Sequence, residues 1–264
     1  MKNIKIYWKY YQSTDVKTFA SLTGTWNNID INKKIPIDYE IFIDDYTAPE
    51  TGVFMHVEPK SISPHLYNKD VKKYKHVLSY DAEHYHSYSN FIKIPPPFGA
   101  WITKNERGVL NKTKNISFIA STKQFCIEHK FRQEMVQKFS SNSDVFGKGR
   151  SREISSKLIG LADYRFSFCM ENYITDLYYT EKVLDCFLTG TIPIYYGTRT
   201  INQIFDINGI VFLDDILNNK IKIEDLNETF YSARRVSVIN NFNIANSMNN
   251  NISNSIDHFI SKVI

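Results

Sequence analysis

Between Phe168 and Gly197 the chain reads FCMENYITDLYYTEKVLDCFLTGTIPIYYG. This stretch gathers an acid–amide pair (Glu171-Asn172), two tyrosines (Tyr178, Tyr179) and an adjacent acid–base pair (Glu181-Lys182). Glu181 suits the first turn of a helix, because a negative side chain complements the positive end of the helix dipole. Lys182 does not, since a cation there is mildly unfavourable. The lysine is easier to understand if an anion sits between it and the free backbone N–H groups of the helix start, and phosphate is the usual anion in such a place. A solvated Glu-Lys pair at an ordinary helix start is the alternative, and spacing alone favours that plainer reading.

The elements that must position these residues follow from the hydrophobic pattern. Tyr164 to Met170 is a short apolar run that reads as a strand, and Glu171 to Tyr179 lacks a period and reads as a loop. Thr180 is the expected N-cap of a helix whose Val183, Leu184, Phe187 and Leu188 share a face, with Gly190 as the stop. Ile192 to Tyr196 is apolar throughout, as a buried parallel strand would be, and Gly197 ends it. The whole is a strand-loop-helix-strand unit. The C-terminal ends of its strands are where open α/β sheets bind nucleotides.

These residues carry a family resemblance. Glu171-Asn172, the spacer to Tyr178, the run Tyr178-Tyr179-Thr180-Glu181-Lys182 and then Ile192-Pro193-Ile194 with Gly197 resemble the donor-binding signature of family 10 glycosyltransferases, the α-1,3/1,4-fucosyltransferases. Tyr173 stands where the family has Ser or Thr, and Met170 replaces an aromatic residue. Upstream, Ile116 to Ser121 (ISFIAS) is similar to the strand that opens the family's donor domain, and Asp144-Val145-Phe146-Gly147 fits a later strand end. Arg132 then takes the place of the arginine that the resemblance implies on the donor diphosphate. A planar guanidinium that grips two phosphate oxygens suits that task. Without the match, Arg132 reads as a surface residue of the amphipathic segment Phe131 to Phe139. Farther upstream, VFMHVEPKSISPHLY (Val53 to Tyr67) resembles the acceptor-domain segment whose acidic residue, here Glu58, is the implied general base. The resemblance covers most of residues 53 to 215, most strongly in the C-terminal half.

What the resemblance implies is an inverting transferase that moves fucose from GDP-fucose to a hydroxyl of a glycan or glycoconjugate, O3 of GlcNAc or Glc. The fold it implies is α/β and GT-B-like, with two Rossmann-like domains facing across a cleft. Inverting transfer needs a base for the acceptor hydroxyl, stabilisation of the leaving diphosphate and an oxocarbenium-like transition state held in line. Arg132, Lys182 and the helix start would stabilise charge, Glu181 would hold the ribose hydroxyls, and Tyr178, Thr180 and Asn172 would complete the donor contacts with Glu171 near the sugar. Glu58 would be the catalytic base. A GT-B enzyme using another nucleotide sugar, or a noncatalytic nucleotide-sugar or glycan-binding protein, are the alternatives. The second is disfavoured by Arg132, Glu181 and Lys182, which a binder would not need for leaving-group stabilisation.

A metal reading attaches to SYDAEHYHSY, where His84 and His86 alternate beside Asp81 and Glu83. No further ligands with recognisable spacing accompany them, so a polar acceptor-side loop is favoured over a metal site. Asp44-Asp45 and Asp214-Asp215 read as turn or cap residues rather than metal-binding acids. The expected reaction therefore needs no metal and no cofactor beyond the donor substrate.

Composition bounds the rest. A 264-residue chain that is 42% hydrophobic can bury two α/β cores, and a net charge of +4 is too weak to argue for nucleic acid. Cys126, Cys169 and Cys186 lack metal or redox spacing and read as reduced core thiols. The start MKNIKIYWKYYQ is a strand pattern, not a signal peptide, and no stretch is apolar enough to span a membrane. A cytoplasmic protein of bacterial or viral type is expected. Pro95-Pro96-Pro97 with Gly99 is the best break, giving an acceptor domain over residues 1–103 and a donor domain over 104–264. Ile207 to Leu213 is expected to add one more strand. The terminal stripe Ile252, Ile256, Phe259, Ile260 and Val263 is expected to pack back on the domains, with contact at a membrane surface as its other use.

Overall fold

Short apolar runs separated by polar segments build two distinct sheets. The computed structural model describes residues 3–8, 18–20, 38–45, 49–68, 70–248 and 252–263. The chain divides into two units, one of Met1–Pro97 with Asn250–Ile264 and one of Phe98–Asn249.

The first unit contains β1 (Asn3–Trp8), β2 (Thr18–Ala20), β3 (Tyr39–Ile43), β4 (Val53–His56), the one-turn helix α1 (Pro64–Tyr67), β5 (His76–Ser79), α2 (Ala82–Tyr85) and β6 (Phe91–Lys93). Its sheet order is β2-β1-β3-β4-β5-β6. Among the described residues, only the β1–β2 pair of this sheet is antiparallel. Ile41, Ile43, Phe54, Met55, Val77 and Leu78 are buried, the unbroken apolar pattern of parallel strands covered on both faces. The histidine-rich segment is not a strand. Asp81 accepts the His84 N–H and caps α2, so His84 and His86 lie on and just after a single helical turn rather than on one face of a sheet.

The second unit holds β7 (Lys114–Ile119), α3 (Ile127–Phe139), β8 (Asp144–Phe146), β9 (Tyr164–Met170), α4 (Glu181–Leu188), β10 (Ile192–Tyr196), β11 (Val211–Phe212), α5 (Leu213–Leu217), α6 (Glu228–Ser232) and α7 (Arg235–Ser247). The sheet is parallel throughout, in the order β11-β10-β9-β7-β8. Read from the other edge this is the doubly wound order 2-1-3-4-5, whose switch point lies between its first and third strands, here β7 and β9. Every residue of β9 is buried. Beyond the expected apolar face, α4 also buries Asp185 and Cys186, because it is covered by α7 as well as by β9 and β10.

Two expectations change, and the last helix packs back as expected. The strand over Ile207 to Leu213 shrinks to the two residues of β11, because Asp206 accepts the Asn208 N–H and turns Ile207–Gly209 into a 3₁₀ helix. The division falls after Pro97 instead of after residue 103, since the N–H groups of Trp101 and Ile102 donate to the buried Asp185 carboxylate (2.8 and 3.0 Å) and Ile102 joins the core of the second unit. The last helix, α8 (Ile252–Val263), belongs to the first unit. Its Ile256, Phe259 and Ile260 are buried, with the Phe259 ring edge-on to Tyr39 at 5.3 Å. That packing leaves these three side chains no face for a membrane surface. Among the described residues no helix is long and apolar enough to cross a membrane.

Gly147 ends β8 with φ of 142°, and a Cβ there would sit 2.2 Å from the Ala120 carbonyl oxygen. Gly147→Ala is expected to lower the unfolding free energy by about 3 kcal/mol through strain and clash. A urea titration checks this, and an unchanged midpoint would show that the backbone has room to move.

Candidate functional site

The end of β9 and the start of α4 are joined by a buried carboxylate. Glu171 continues β9 by donating its N–H to Tyr196 O (2.8 Å), and its side chain is 0% exposed. One carboxylate oxygen accepts the Thr180 N–H (2.9 Å), and the other accepts Thr180 Oγ1 (2.7 Å) and Lys182 Nζ (3.3 Å). Thr180 is the N-cap, as the sequence suggests, and Lys182 Nζ also donates to its Oγ1 (3.0 Å). Burying an ion is costly unless charge and hydrogen bonds compensate, and these donors do so. Glu171 therefore ties the end of β9 to the start of α4. Thr180 and Tyr178 are likewise buried. The Tyr178 ring meets Phe98 and Tyr173 edge-on, and its carbonyl accepts Tyr195 OH. Their side chains help to shape the loop.

Arg132 comes to the same place from α3. Its Nη2 donates to Met170 O (2.8 Å) and to Asn172 Oδ1, while its buried Nε has no partner among the described residues. Five of the sequence-chosen residues thus meet around the C-terminal end of β9: Arg132, Glu171, Asn172, Thr180 and Lys182. Glu181 adjoins them, with Oε1 3.6 Å from Lys182 Nζ. The location is the switch point between β7 and β9, the crevice that doubly wound sheets use for ligands.

Electrostatics keeps the charged forms. Burial opposes ionisation of Glu181, but Lys182 and Lys157 outweigh it and hold its carboxyl down at about 2. Burial likewise opposes the charge on Lys182, and the carboxylates of Glu181 and Glu171 push its ammonium above the usual lysine range. Lys182 keeps 24% of its side chain exposed, so this cation is held in place and still reachable.

Two members of the arrangement have no local sequence motif. Lys157, from the 3₁₀ turn Lys157–Gly160, reaches Asp185 Oδ2 (2.8 Å) and Glu181 Oε1 (3.4 Å) and lies over the Trp101 ring (4.2 Å to its centroid). Asp185 holds Lys157 on one oxygen and two backbone amides on the other. Its one signal in the sequence is a carboxylate set within the apolar run VLDCFL, one helical turn after Glu181.

Glu58 lies in the first unit, immediately beyond β4. Its N–H and that of Val57 donate to the two oxygens of Asp44 (3.0 and 2.9 Å). Asp44 follows β3 with φ of 50° and is fully buried. Burial pushes its carboxyl up to about 7, against the two amide bonds that favour the anion. His56, whose Nε2 is 3.9 Å from Asp44, bonds Tyr85 OH through Nδ1, and burial pushes it down to about 3. That ring is neutral, so Asp44 and His56 form no ion pair. Asp44 serves as the turn residue expected of it, and its particular task is to hold the loop that carries Glu58.

Residues 109–227 match the model of glycosyltransferase family 10 (fucosyltransferase) C-term. Alpha-(1,3)-fucosyltransferase FucT of Helicobacter pylori is 31% identical over 107 residues, covering 39% of this chain and 22% of that protein. The crystal structure of α1,3-fucosyltransferase with GDP-fucose superposes with a TM-score of 0.50 at 14% identity, covering 86% of this chain and 77% of that one. Another α1,3-fucosyltransferase crystal structure gives 0.49 at 15% identity, over 81% and 69% of the two chains. At such identity the likeness to the GDP-fucose structure is one of fold, and the fold is of GT-B type.

The Glu181 carboxyl lies below its unfolded value of 4.5, so its contribution is complete above that pH and is lost as pH falls towards 2. Glu181→Gln is therefore expected to cost on the order of 2–3 kcal/mol at pH 7, with the difference from wild type vanishing as pH falls from about 5 to 2. Chemical denaturation of both proteins across that range checks it. A difference that stays constant with pH would mean that the loss is one of packing.

Proposed function

From the match of residues 109–227 to the model of glycosyltransferase family 10 we propose that the protein transfers fucose from GDP-fucose to a hydroxyl of a glycan acceptor with inversion. The observation that carries the proposal is the convergence of Arg132 and Lys182 on the end of β9 beside the start of α4. Two fixed cations and a helix N-terminus suit a diphosphate, and they act most strongly on the charge that develops as it leaves.

In the reaction, Glu58 accepts the proton of the acceptor hydroxyl. The hydroxyl oxygen attacks the anomeric carbon, and the bond to the diphosphate breaks on the opposite face with its electrons passing to phosphate oxygen. Arg132 and Lys182 balance the charge of the departing GDP, and Glu181 accepts from the ribose hydroxyls. Asn172, already bonded to Arg132, keeps the guanidinium in line. Glu171, Tyr178 and Thr180 are positioning residues. No metal takes part: the two cations and the helix start supply the positive charge that a divalent ion would otherwise bring. The acceptor is an oligosaccharide or glycoconjugate, with O3 of GlcNAc or Glc as the receiving hydroxyl, and the reaction takes place in the cytoplasm.

The test is incubation with GDP-fucose and N-acetyllactosamine or lactose, read by mass spectrometry and by NMR of the new anomeric centre, with and without a chelator. Fucosylated product of inverted configuration is expected, undiminished by the chelator. A thermal-shift panel of GDP, UDP and CMP accompanies it, and stabilisation by UDP alone would reassign the donor. Activity abolished by the chelator and restored by a divalent ion would overturn the metal-free reading. Glu58→Gln is expected to lower kcat by roughly 10²–10⁴-fold while leaving the GDP thermal shift intact. Near-normal turnover would place the base elsewhere.

A further inference from the structure

The charges around the end of β9 cancel. Arg132, Lys157 and Lys182 supply positive charge, and Glu171, Glu181 and Asp185 supply negative charge within the same set of contacts. A nucleoside diphosphate brings further negative charge into a site whose cations are already balanced. The helix start contributes only a partial charge. One group beside Arg132 is able to supply a full charge on demand.

His129 stands one turn before Arg132 on α3 and is 5% exposed. Asn172, which accepts from Arg132, also holds the His129 ring through a hydrogen bond that favours the protonated form. Such a bond is one accepted by the Asn172 oxygen from a ring N–H. The other ring nitrogen, Nδ1, has no partner among the described residues, and neither has the Nε of Arg132 on the same helix. Unpartnered polar atoms in buried surroundings are costly, and two of them on residues that share Asn172 are explained together if a ligand completes both. The Phe125 ring lies edge-on to the imidazole at 6.0 Å. Cys126, the residue before α3, and Glu128 in its first turn lie close by on the same helix start.

We infer that His129 is a donor-binding residue whose Nδ1 takes up a proton and bonds the diphosphate when a nucleoside diphosphate enters the site. This rests on the donor-site reading above and adds a residue and a proton to it. In the free protein burial, then Arg132, Lys123 and Lys182, push the imidazole below its ordinary range, and Asn172 alone opposes them. The ring is neutral at physiological pH, and Nδ1 presents a lone pair. An anion among those cations reverses the balance, since the charge that disfavoured the imidazolium is then neutralised by phosphate. The protonated Nδ1–H donates a charge-assisted bond, and binding becomes linked to proton uptake.

Isothermal titration calorimetry with GDP, in two buffers of different ionisation enthalpy at pH 6.5 to 8, tests the inference on wild type and His129→Gln. The nucleotide's own phosphate titration is the same in both proteins and drops out of the difference. Wild type is expected to take up more protons than the variant and to lose affinity more steeply as pH rises, with His129→Gln about tenfold weaker at pH 6.5 and converging on wild type at pH 8. Equal proton uptake by the two proteins overturns the inference while leaving the donor site in place. No GDP binding by wild type overturns the donor site itself, and this inference with it. Should the variant fail to fold, NMR titration of the wild-type imidazole C–H signals decides. One ring moving from neutral to charged on saturation with GDP at pH 7 supports the inference, and no such ring refutes it.

Discussion

The second unit depends on the buried carboxylate of Glu171. Its negative charge is tolerable only because Thr180 and Lys182 donate to it, and those donors are the cap and first turn of α4. The requirement then propagates. Lys182 also faces Glu181, Glu181 faces Lys157, Lys157 faces Asp185, and Asp185 ends the series on the amides of Trp101 and Ile102. Alternating charges thus tie the end of β9, the start of α4, the turn at Lys157 and the first residues of the unit into one network. Removing a member of such a network leaves its neighbour buried and unpaired, which is why buried ion pairs hold geometry more firmly than they add stability.

That rigidity serves the site. A diphosphate grip works only if its cations are in place before charge develops, and a free lysine would spend much of its time in other rotamers. Lys182 is held by two carboxylates and a hydroxyl, and Arg132 by the Met170 carbonyl and Asn172. In the first unit Asp44 gives Glu58 a similar setting by fixing the backbone of its loop at two successive amides. Both devices use a buried carboxylate at a strand end to set a loop. The two differ in exposure: the cation at Lys182 remains accessible, and Asp44 itself is sealed from solvent.

Much of the second unit was legible in the chain. The period of the apolar residues marks β9, α4 and β10, Thr180 announces the cap, and Gly190 with φ of 72° supplies the stop. Arg132, Glu171, Asn172, Thr180 and Lys182 were chosen through the resemblance to a family signature, and the fold brings all of them to one strand end. Local pattern failed in two ways. The cap that Asp206 places on Ile207–Gly209 was overlooked inside an apolar run, and the Asp185 carboxylate, distant in the chain, drew Trp101 and Ile102 into the second unit.

The sequence by itself determined which groups the site could contain, because charge, hydrogen-bonding capacity and hydrophobic period are properties of residues and their neighbours. It also determined the elements that carry them, since helix caps and buried strands are written in short stretches. Tertiary structure decided what each group does. Glu171 and Glu181 are the same residue type ten positions apart, yet one is enclosed by three donors and the other stands between two lysines. His129 carries no mark in the sequence that separates it from any other histidine. Burial, three neighbouring cations and a shared asparagine single it out, and all of these arise from packing between segments distant in the chain.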